Sequence, residues 1–125
     1  MTPEELIGRY EAGERDFEGV FLGGPNLRSV DLSGIELSGA NLRFANLRKA
    51  NLSEADLSEA DLYEADLRGA ILRSARLKGA NLWRAELRGA NLEGASLRDA
   101  KVANAQLTRA ASLKDAILPD GIMKE

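Results

Sequence analysis

A leucine stands at every fifth residue from Leu22 to Leu97, and Val102 and Leu107 continue the step. Two places ahead of each comes an alanine, unbroken from Ala40 to Ala110. The residue just before the leucine is mostly Asn or Asp, as at Asn41, Asn46, Asn51, Asp56, Asp61 and Asp66. The unit reads A-(N/D)-L-x-x, and a repeat this short and regular constrains the fold before any local propensity is weighed.

Neither ordinary element can bury such a set. An α-helix advances about 100° per residue, so a five-residue step scatters the leucines around its cylinder. In a flat strand side chains alternate with period two, and an odd spacing sends successive leucines to opposite faces. All of them point inward only if the chain turns about once per repeat, so that four turns close a square coil and stacked coils enclose a filled prism. The spacing predicts a four-sided parallel β-solenoid. Its core column is Leu42, Leu47, Leu52, Leu57, Leu62, Leu67, Leu72, Leu77, Leu82, Leu87, Leu92 and Leu97, with the alanines beside them. The early inward positions hold the bulkier Val20, Pro25, Val30 and Ile35, and Phe17 stands in a leucine's place.

These tandem units resemble those of the pentapeptide-repeat proteins. The resemblance runs from about Asp16 to about Gly121. It implies an all-β fold, a right-handed quadrilateral parallel β-helix of about 20 residues per coil and about five coils. The opening stretch from Glu4 to Phe17 resembles the N-terminal caps of cyanobacterial members, and Ile117-Leu118-Pro119-Asp120-Gly121 is similar to a common family ending.

The chain of 125 residues is read as a single domain, 1–125. Thr2-Pro3-Glu4-Glu5 is a capping box with proline at the first helical position, so residues 2–13 are expected to form a short capping α-helix over the first coil. Coils fill 16–118, with a one-residue slip near 110–112, where Leu113 falls one place late. Residues 119–125 make a closing turn and tail. Asn and Asp are expected at the corners, bonding turn backbone and tolerating strained dihedrals, while glycines such as Gly39 ease others.

Composition removes several chemistries. There is no cysteine and no histidine, so disulfides, thiol nucleophiles and the usual zinc, haem or iron–sulfur ligands are absent. The net charge of −3 favours neither polyanions nor membranes. No apolar run reaches spanning length, and Met1-Thr2-Pro3-Glu4-Glu5 is acidic where a secretory leader is basic. With Met1 as the natural start, the expectation is a cytoplasmic protein. Carboxylates are plentiful, yet a convex surface offers no cleft to tune them, the serines lack a histidine base, and no phosphate-cradling loop precedes a helix. No catalytic residue, cofactor site or metal site is therefore expected.

Residues twenty apart should stack at about 4.8 Å. Arg43, Tyr63 and Trp83 then fall in one column, flanked by Phe44, Glu64 and Arg84, with Phe21 below. This stripe is the candidate contact surface; Tyr63 stacking over Trp83 is its packing alternative. The next side carries a candidate basic column, Arg28, Arg48, Arg68 and Arg88, with Asp66 and Glu86 close by. One coil is acidic (Glu54, Asp56, Glu59, Asp61, Glu64, Asp66) and the following one basic (Arg68, Arg73, Arg76, Lys78, Arg84, Arg88). Asp56 is expected against Arg76 and Glu64 against Arg84, a pattern that penalises a coil stacked out of register.

The leading expectation is a non-enzymatic scaffold that binds a protein, either monomeric or paired end to end through the final coil. Some family members mimic a DNA duplex and bind type II topoisomerase, and this resemblance implies that role as an alternative. The chain departs from that subgroup in its shorter length, its leucine centres and its interrupting arginines. A second alternative is nucleic-acid binding through the arginine column.

Overall fold

The computed structural model describes residues 1–124. Its organising contact is a parallel bridge between each Asn/Asp-position residue and the one twenty positions on. Asp16 pairs with Glu36, Asn41 with Asp61, Asp61 with Asn81, and the series continues to Asn81 with Lys101. A turn follows at five-residue steps, four to a coil, except after Phe21, where the chain bends over Gly23-Gly24, and after Lys101, where a helical turn stands. The β character is thus a ladder of single bridges between turns, without extended strands among the described residues.

One unit shows why the chain accepts this path. Among residues 41–45, the Asn41 amide donates to the Val20 carbonyl below at 2.8 Å, and the Leu42 and Phe44 amides donate to Asp61 and Tyr63 above at 2.8 and 2.9 Å. The Ala45 amide closes the turn on the Leu42 carbonyl at 3.1 Å, and the Arg43 amide donates to Asn41 Oδ1 at 3.1 Å. All five donors are satisfied, so a backbone that turns continually costs no orphaned amide.

The third residue of each turn carries the left-handed dihedral. Phe44 sits at φ +62°, Glu54 at +60° and Arg84 at +61°, with glycine in the same place at Gly34 and Gly39. This corrects the expected division of labour. Asn and Asp do bond turn backbone, but the strained conformation falls three residues later, where a type II turn requires it.

Every leucine of the column is buried, alanines from Ala40 to Ala100 line the prism with them, and no polar or charged residue is buried among the described residues. Each leucine contributes on the order of 1.5–3 kcal/mol. The helix α1, Pro3–Glu11, starts from Thr2, whose hydroxyl oxygen accepts from the Glu5 amide at 3.1 Å. It adds Leu6 to the buried core that includes Phe17, and Tyr10 Oη donates to the Ser33 carbonyl at 2.6 Å.

The slip near the end lies earlier than its sequence position suggested. Leu82 donates to Lys101, nineteen residues on, whereas Gly89 donates to Arg109, twenty on, and Asn91 bridges Ser112. The extra residue therefore enters between Lys101 and Arg109, where a single helical turn, α2 (Asn104–Leu107), replaces the corner. Helix rises about 1.5 Å per residue against about 3.3 Å in a strand, so it packs one more residue into the same span.

The final edge is partly covered by the chain itself. After Gly121, at φ +87°, residues 122–124 run back antiparallel, bridging Met123 to Ile117. Leu118 donates to Ile122 at 2.8 Å and Lys124 to Ala116 at 2.7 Å. End-to-end pairing on that side would have to displace this segment.

Candidate functional site

The ladder brings the stripe residues to one side, but pairs them differently from the twenty-residue stack. Phe44 donates its amide to Tyr63, nineteen residues on, and Glu64 donates to Trp83. Tyr63 is therefore the ladder neighbour of Phe44, and the two rings meet edge-on with centroids 5.8 Å apart. The expected Tyr63–Trp83 stack does not form; among the described residues the aromatic pair is Phe44 with Tyr63. Arg43 lies over both rings, 5.6 Å from the Phe44 centroid and 4.5 Å from Tyr63, and donates to Asp61 at 3.1 Å. Arg84 meets Glu64 at 3.2 Å and Tyr63 Oη at 3.4 Å.

These contacts leave apolar surface in water. Phe21 is 64% exposed, Phe44 55% and Trp83 52%. Two shallow hollows border the stripe. One, of about 380 Å³, lies between Phe21 and Phe44 over Gly23 and Gly24. The other, of about 240 Å³, lies where Trp83 and Arg84 face Ala103 and Gln106 beside α2. Sequence reasoning missed the second because the five-residue rhythm continues unbroken through Ala105 and Leu107. The first hollow had a signal in the sequence, a phenylalanine in an Asn/Asp place followed by two outward positions without side chains, Gly23 and Gly24.

The arginine column stands on the adjacent side, largely neutralised in its middle. Asp66 takes Arg68 at 2.6 Å and Arg48 at 3.9 Å. The Arg68 side chain holds the Asp66 carboxyl below the usual carboxylate range, against the opposing pull of burial. Among the described residues Arg28 and Arg88 have no carboxylate partner. Both expected register pairs are present, Asp56 with Arg76 at 3.5 Å and Glu64 with Arg84 at 3.2 Å. For Asp56, burial pushes the carboxyl up, but the Ser58 amide and hydroxyl together with Arg76 outweigh it and set it low.

No cluster of metal-binding side chains occurs among the described residues, and no helix there is long and apolar enough to cross a membrane. What this surface can do chemically is present rings and guanidinium groups on a rigid frame.

The family model described as pentapeptide repeats matches the chain in eight copies, over residues 15–43, 35–73 and 75–110. Among solved structures, a pentapeptide repeat protein from the Arabidopsis thaliana thylakoid lumen is 30% identical with a TM-score of 0.69, covering 82% of this chain and 70% of its own. A pentapeptide repeat protein from Nostoc Pcc 7120 is 51% identical over 76% of this chain and 80% of its own, with a TM-score of 0.46. QnrB1, a plasmid-mediated fluoroquinolone resistance protein, is 24% identical over 69% of this chain and 50% of its own, with a TM-score of 0.44. No curated protein matches this chain.

Proposed function

The chain belongs to the pentapeptide-repeat family, and from that premise we propose that it is a non-enzymatic scaffold engaging another protein through the side that bears Phe44, Tyr63 and Trp83. In this reading the coil winds right-handed, as the family resemblance implies, through about five turns. The observation that carries the proposal is the set of half-exposed rings, Phe21, Phe44 and Trp83, gathered on one side of the prism. Aromatic and arginine side chains dominate binding energy where they are held rigid and become desolvated. Arg43, Glu64 and Arg84 supply the polar margin of such a contact. The acidic coil is a weaker basis for a DNA-like surface, because Asp56, Asp61, Glu64 and Asp66 are each tied to an arginine.

The test is affinity capture with the full chain against Tyr63→Ala combined with Trp83→Ala. Loss of the captured protein with an unchanged far-ultraviolet spectrum supports the reading. Undiminished capture removes the stripe from the function.

A further inference from the structure

Along the prism axis the Phe44 ring has two neighbours' places. Tyr63 fills one. The other opens over Gly23-Gly24, the turn of this side where Arg43-Phe44, Tyr63-Glu64 and Trp83-Arg84 have their side chains and this coil has none. Phe21 closes the far wall: a β-carbon on Gly23 would lie 3.2 Å from its ring, and one on Gly24 would lie 4.0 Å from Phe44 Cβ. The result is a slot with a backbone floor and two aromatic walls, completed by Asn41 and Arg43. A ring entering it would meet Phe44 opposite Tyr63 and continue the aromatic row by one member, with Phe21 beyond it.

The slot also lies in a cationic field. Residues 21–29 and 41–49 make this side and the next in the first two coils. They contain Arg28, Arg43, Arg48 and Lys49 and no carboxylate. Asp61 and Asp66 of the next coil reach Arg43 and Arg48, while among the described residues Arg28 and Lys49 have no carboxylate partner.

We propose that this slot receives one aromatic side chain of a partner protein, presented on an acidic extended segment. The proposal rests on the protein-interaction reading above and specifies the partner's chemistry. A peptide with two or three carboxylates matches a patch only two coils tall. A nucleic-acid strand matches less well, because each coil rises only about 4.8 Å and its next phosphates would run onto Asp61, Glu64 and Asp66.

The experiment uses the ¹⁵N-labelled full chain and an acetylated, amidated peptide of sequence EDFDE. The Gly23 and Gly24 amides should shift saturably, with a Kd below about 1 mM that weakens as salt is added. EDADE should bind at least about tenfold more weakly, as should the variants Phe44→Gly and Phe21→Asn. Those replacements are the residues that Gly24 and Asn41 already supply in the same places on neighbouring coils, so the ladder is kept. Absent shifts at the two glycines, equal binding of EDADE, or tighter binding of a thymidine oligonucleotide at the same amides would each overturn the proposal. If EDFDE fails while Tyr63→Ala with Trp83→Ala still loses a captured protein, the slot falls and the interaction surface stands. If EDFDE binds as described and that double variant loses nothing, the slot stands and the wider stripe falls.

Discussion

The side-chain amide of Gln106 donates to the main-chain carbonyl of Leu82 at 2.7 Å and, through the same nitrogen, to Ala85 at 2.9 Å. Its oxygen accepts from the Ala103 amide at 2.8 Å. In a regular coil Ala85 would receive a ladder amide, as Ala65 does from Glu86. The helical turn α2 withdraws that donor, and the glutamine replaces it. Gln106→Ala is expected to cost about 1–3 kcal/mol by leaving the Ala85 carbonyl and the Ala103 amide unpaired, while Leu82 keeps the Ala85 amide, read as a lower urea midpoint at unchanged slope.

The left-handed turn position makes an opposite pair of predictions. Glu54 sits at φ +60° with no ion-pair partner among the described residues, so Glu54→Gly should raise stability by about 0.5–1 kcal/mol, strain relief exceeding the added chain entropy. Gly39 sits at φ +68° in open space, so Gly39→Ala tests the backbone alone and should cost about 1 kcal/mol. Thermal melts of both variants check the signs.

Leu62 is fully buried in the middle of the stack. Leu62→Ala should cost about 2–5 kcal/mol, because the ladder above and below prevents collapse into the cavity. Leu62→Met, close in volume, should cost less than about 1.5 kcal/mol. Denaturant titration of the two separates cavity formation from loss of shape.

The Asp66 carboxyl is lower in the folded chain than in the unfolded one, chiefly through Arg68. As pH falls, the unfolded chain takes that proton first. The stabilisation is therefore complete above the unfolded value of about 3.9 and is lost as pH drops toward and through the folded one. Asp66→Asn keeps an acceptor for the Arg68 amide, as Asn46 does for Arg48, and removes only the charge. The variant should melt lower than the parent at neutral pH, and the gap should narrow in acid.

Residues whose role is set by spacing were readable from the sequence. Leu42 and Ala40 point inward because no other path buries a five-residue period, and Asp56–Arg76 and Glu64–Arg84 follow from the coil length. Features set by which ladder partner is nearest were not. Phe44 touches Tyr63 because the amide-to-carbonyl step is nineteen, not twenty, and composition carries no trace of that difference. The turn α2 was hidden for another reason: Val102, Ala105 and Leu107 keep the leucine–alanine beat while the backbone beneath has changed. The slot left only a faint mark, Phe21 in an Asn/Asp place before Gly23-Gly24, because its floor is two missing side chains.

A bridge to the residue twenty positions on, through four turns, also fixes how the length of this molecule can change. Adding or removing a whole coil slides everything above it along the axis and preserves each flank. Adding a single five-residue unit instead swings all later residues through a quarter revolution. Placed between Phe44 and Tyr63, it would carry Tyr63 and Trp83 around the corner and leave Phe44 with Phe21 alone. Growth by twenty is translation and growth by five is rotation, so the aromatic ridge can survive only one of them.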